Sequence, residues 1–101
     1  RTARYEEALV YIRQAADILP DDPAILDSLG WVSYRLGKMD EAIKWLSRAF
    51  EKVEDAEIAA HYGEVLWYVN QKDKARKIWE KGKQSNAENP VLLETLERLT
   101  P

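Results

Sequence analysis

The sequence predicts an all-α fold of about six helices, arranged as repeated antiparallel pairs. Three observations predict it. Small residues recur at one period: Gly30 returns as Gly63 and Gly37 as Asn70, each 33 residues on. Ala42 has counterparts at Ala8 and Ala75, and Ala49 at Ala15 and Gly82, 34 residues before and 33 after. Several positions agreeing on one period mark a repeat array. Between these points apolar residues fall at three- and four-residue steps, the spacing of one helix face. Charged residues make up 33% of the chain and only four glycines occur, a balance that suits helices with exposed polar faces better than a β protein.

Residues 1–20 read as the second helix of a pair whose first helix is missing. From about Ala3 to Leu19, the residues Tyr5, Ala8, Leu9, Ile12, Ala15 and Leu19 form one apolar stripe. Tyr5, Leu9 and Ile12 are expected to be partly uncovered, and a homodimer through this truncated N-terminal face could cover them. Pro20 ends the helix. Residues 21–54 form a full pair, with helices at about 23–36 and 39–53. Asp22 supplies an N-cap acceptor and Pro23 a first-turn proline. Gly30 lies mid-helix, where glycine costs roughly 1 kcal/mol against alanine. A closely crossing neighbour is the reason expected for it, and Ala42 and Ala49, seven residues apart, offer a smooth face to meet it.

Residues 55–88 repeat the pattern, with helices at about 56–69 and 72–85. Asp55 is placed to cap the first of these and Glu57 to sit near its positive end. Asn70 replaces the turn glycine and tolerates a left-handed backbone better than most residues. Residues 89–101 hold a last helix from Val91 to Leu99, opened by Asn89 and Pro90. Glu97 stands where Gly30 and Gly63 stood. A glutamate there cannot accept a close crossing, so this helix is expected to cap the stack and to resemble a true C-terminus.

The totals exclude much. The chain has no cysteine, so disulfides and thiol chemistry are absent. Its formal charge of −3 gives no electrostatic case for nucleic acid. No apolar run approaches the roughly 20 residues of a membrane span, so no membrane contact is expected of this stretch. His61, the only histidine, has just Glu57 and Glu64 at helical spacing, a poor metal set. The serines lack a base spaced to activate them, and no Gly-Lys-Ser/Thr loop is present. No catalytic residue, cofactor or metal is expected.

The period, the Leu29-Gly30 pair, the Ala42-x-x-x-Leu46 spacing and the helix-ending proline resemble the tetratricopeptide repeat, over essentially the whole chain. Leu26 stands where that family usually has Trp, and Ser33 where it has Tyr. The resemblance implies a right-handed α-solenoid that binds a protein or peptide through a concave groove lined by the first helix of each pair. On the matching positions, the partner-binding residues are Asp27, Trp31, Tyr34 and Arg35, then Glu64, Trp67 and Tyr68. Such a wall suits an extended or helical peptide with apolar anchors and some basic charge. The competing reading packs Trp31 and Tyr34 between repeats, and assigns Trp45 and Trp79 to packing or the convex face. One subclass grips a C-terminal carboxylate with Lys and Asn; the matching places here hold Asp27, Trp31, Ala60 and Glu64, none cationic, so that mode is not expected. The run Lys72–Lys77 is either a basic docking patch or a solvated face on which Arg76 pairs with Glu80.

The runs Pro20–Gly37 and Ala59–Trp67 look closer still to the C-terminal part of many-repeat lipoproteins of Gram-negative bacteria. Those are anchored in the outer membrane, face the periplasm and act as adaptors for a carboxyl-terminal processing protease and its cell-wall hydrolase substrates. The resemblance therefore implies a periplasmic adaptor of the cell envelope, with a protease or its substrate as partner. Two functions stay open: an interaction module using the concave aromatic wall, or an architectural C-terminal segment whose parent binds partners upstream.

Overall fold

Side-chain caps at Asp22, Asp55 and Asn89 set three of the helix starts, and left-handed turns set two of the stops. The computed structural model describes residues 2–100, with side chains from Ala3 onward. Its helices are α1 (Thr2–Ile18), α2 (Pro23–Arg35), α3 (Met39–Lys52), α4 (Ala56–Tyr68), α5 (Lys72–Asn86) and α6 (Pro90–Leu99). No strand occurs among the described residues. The chain forms two compact units, Arg1–Lys52 and Val53–Pro101.

In the first unit α2 packs against both α1 and α3. The Asp22 carboxylate accepts from the N–H groups of Ala24 (3.0 Å) and Ile25 (3.1 Å), satisfying two donors that the first turn leaves unpaired. At the other end Gly37 adopts φ +79°. The Gly37 N–H donates to the Tyr34 carbonyl (2.9 Å) and the Lys38 N–H to that of Ser33 (2.8 Å), closing α2 before α3 turns back. Gly30 faces Leu46 so closely that a Cβ would overlap that side chain. Around this crossing Leu26, Leu29, Ala42, Leu46 and Ala49 are at most 2% exposed. Leu9 differs from expectation. It is buried, since α1 packs against α2, whereas Tyr5 and Ile12 are half-buried and Val10, Tyr11, Ile18 and Leu19 lie open.

The second unit reuses the same devices. Asp55 accepts from Glu57 N–H (2.9 Å) and Ile58 N–H (3.2 Å). Asn70 takes the glycine's role at φ +65°, with Asn70 N–H on the Trp67 carbonyl (3.1 Å) and Gln71 N–H on that of Leu66 (2.8 Å). Gly63 lies under Trp79, whose indole is 2% exposed and donates to the Ala60 carbonyl at 3.5 Å. Gly82 brings α5 onto Ala59 of α4. Asn89 caps α6 through Leu92 N–H (3.0 Å), and α6 seats Leu92 and Thr95 against the α4–α5 pair. None of the helices among the described residues is long and apolar enough to cross a membrane.

Candidate protein-binding site

In the first unit the candidate residues gather at the C-terminal half of α2. The Trp31 and Tyr34 rings lie 5.1 Å apart at 40°, both half-buried. Arg35, the next residue, is exposed, and its guanidinium stands 5.4 Å over the Tyr5 ring of α1. Arg35 thereby separates two openings. One of about 500 Å³ is lined by Arg4, Tyr5, Ala8, Val32 and Arg35, and one of about 260 Å³ by Tyr34, Arg35 and Met39. Asp27, one turn earlier than Trp31, is only 8% exposed. Trp45 carries Lys44 and Arg48 against its ring, at 4.6 Å and 5.3 Å.

In the second unit the same helix positions behave differently. Trp67 turns toward α5, where its ring meets Trp79 at 5.5 Å and carries Lys72 (4.7 Å) and Arg76 (5.1 Å) on its surface. Tyr68 is 57% exposed. Glu64 is 4% exposed, and its Oε1 accepts from Arg98 Nη2 of α6 at 2.6 Å. Arg98 Nε also donates to Glu94 at 2.9 Å. The hydrogen bond to Glu64, then that to Glu94, holds the Arg98 guanidinium above its ordinary pKa. Arg76 forms its ion pair with Asp73 (3.6 Å), not with Glu80 as expected, because the ring of Trp67 draws it along the helix.

The sequence reading did not single out Glu64–Arg98 as a pair. The signal was available: these residues are 34 apart, one repeat period, so they occupy equivalent places on successive first helices. Arg4 and Tyr5 were missed as neighbours of Arg35 for want of any comparable cue. Among the described residues no group of three or more His, Cys, Asp or Glu is placed to hold a metal ion.

Two helix pairs therefore share one turn geometry, one cap and one small residue at the crossing. Comparison with known families agrees, matching the tetratricopeptide repeat to residues 3–64. The chain belongs to the tetratricopeptide repeat family. A TPR repeat-containing protein of Pseudomonas aeruginosa is 52% identical over 64 residues, which is 63% of this chain and 11% of that protein. The chain thus spans about a tenth of the length of the curated relative it matches. Tetratricopeptide repeats in general mediate protein–protein interaction, and as scaffolds they are in general non-catalytic.

Proposed function

We propose that this chain is a non-catalytic protein-binding module of a longer tetratricopeptide repeat protein. Its partner is a polypeptide held on the outward residues of the first helices. One observation carries the reading: the Trp31–Tyr34 ring pair with exposed Arg35 at its edge, an aromatic platform beside a cation on one turn of α2. Such platforms bury large area at small entropic cost. The first unit adds Asp27, and the second unit has its own set in Glu64, Trp67 and Tyr68. The likeness of Pro20–Gly37 and Ala59–Trp67 to envelope lipoproteins supports a periplasmic adaptor, whose partner is a processing protease or its substrate. A second reading, an architectural segment, draws support from Glu64 and Trp67, which spend much of their surface inside the second unit.

Selection of a displayed peptide library on the immobilised chain tests the first reading. The best binder should lose about tenfold or more in affinity with Tyr34→Ala or Arg35→Glu while thermal unfolding is unchanged. Trp31→Ala should do the same, at some loss of stability because its ring is half-buried. Binders indifferent to all three changes would favour the architectural reading.

A further inference from the structure

Charge in the second unit is segregated by helix. Helix α5 carries six of the seven Lys and Arg residues between 53 and 101, against only Asp73 and Glu80, so it bears a formal +4. The rest of that unit has seven carboxylates against Arg98 alone, a formal −6. The α5 cations do not spread evenly. At 100° per residue Lys72, Arg76 and Lys83 fall along one flank, Lys74, Lys77 and Lys81 along the other, and Asp73 and Glu80 between them.

The first flank is built differently from the second. Lys72 and Arg76 rest on the Trp67 ring, and Arg76 and Lys83 line a cleft of about 210 Å³ with Trp79, Glu80, Leu96 and Thr100. Among the described residues neither Lys72 nor Lys83 has a carboxylate in ion-pair range, and the Arg76–Asp73 pair is an exposed one of small worth. On the other flank Lys81 is already paired with Glu54 at 3.5 Å.

We propose that this flank, the groove between α5 and α6, docks an acidic peptide segment of a partner protein. Carboxylates of the segment meet Lys72, Arg76 and Lys83, and an apolar side chain between them enters the cleft against Leu96 and Trp79. The positions of Asp73 and Glu80 favour a narrow ligand. A flat anionic surface lying on α5 would meet both carboxylates, whereas a single strand along the flank passes beside Asp73 and meets Glu80 only where its apolar side chain enters the cleft. The inference stands apart from the function proposed above, because Lys72, Arg76 and Lys83 of α5 carry it and the two share only the Trp67 ring.

The test uses a labelled peptide alternating glutamate with leucine, titrated onto the intact chain by fluorescence anisotropy and by indole quenching. Binding should weaken steeply with added salt. The double variant Arg76→Glu, Lys83→Glu should bind about tenfold or more weaker, while Lys74→Glu, Lys77→Glu, of equal charge change on the other flank, should bind nearly as the parent does. All four residues are exposed, and circular dichroism should show unchanged helicity. The neutral pair Arg76→Gln, Lys83→Gln gives an intermediate loss. Equal weakening by both charge-reversed pairs, no binding, or capture by phosphatidylglycerol vesicles without capture of the peptide would each overturn the proposal.

Discussion

Gly63, which has no side chain, governs how α4 and α5 pack in the second unit. Gly63 has the Trp79 indole where its Cβ would be, and that indole is nearly fully buried and hydrogen-bonded. Gly63→Ala gains about 1 kcal/mol of helix propensity and loses about 1–3 kcal/mol to overpacking. The net expectation is destabilisation by about 1 kcal/mol in urea unfolding, and a smaller cost for the same change when it is made in a Trp79→Leu background. Asn70 makes a second residue-scale case. Its φ of +65° predicts that Asn70→Ala costs about 1 kcal/mol, whereas Asn70→Gly costs nothing or stabilises slightly. Asn70→Ala as stable as the parent would mean the turn is not left-handed in solution.

At the scale of helices, caps and ties carry the predictions. Asp55→Ala removes the acceptor for two first-turn N–H groups and should cost about 1 kcal/mol. Arg98 ties α6 to α4. Its guanidinium is 42% exposed and the Glu64 carboxylate 5%, so the pair is worth less than a fully buried one. Arg98→Met should cost about 1–2 kcal/mol, and Arg98→Met with Glu64→Gln less than the sum of the two singles, as a double-mutant cycle reads it. Arg98's folded pKa lies above its unfolded one. Its contribution is therefore whole below the unfolded pKa and fades only as pH rises through the folded one, so the tie stays intact from the guanidinium's side near neutral pH. The helices themselves were legible in the sequence to within a residue or two, because Asp22, Asp55, Asn89 and the prolines punctuate local geometry. Flank choice was less so. Trp31 and Trp67 look like counterparts, yet the period pairs Trp67 with Tyr34 and Trp31 with Glu64. Trp67 follows Gly63 by four residues, which puts it on the face that meets α5. Whether Glu64 meets water or Arg98 depends on a helix 34 residues away, and local pattern does not encode that.

Across the chain, cohesion comes from apolar packing around three glycines, Gly30, Gly63 and Gly82, and a set of alanines, with no disulfide to assist. The chain has no cysteine and a single histidine. Reductant or chelator should therefore leave the melting temperature unchanged within about a degree, where loss of a structural zinc would unfold a small domain. The uneven placement of lysine and arginine has a practical result. No tryptic site falls between Lys52 and Lys72, a stretch that contains all of α4, whereas α5 alone offers six. Timed digestion followed by mass spectrometry would thus record each local opening of α5 as a cut, and α4 would survive whole as the 53–72 fragment, a built-in internal standard for how often its neighbour frays.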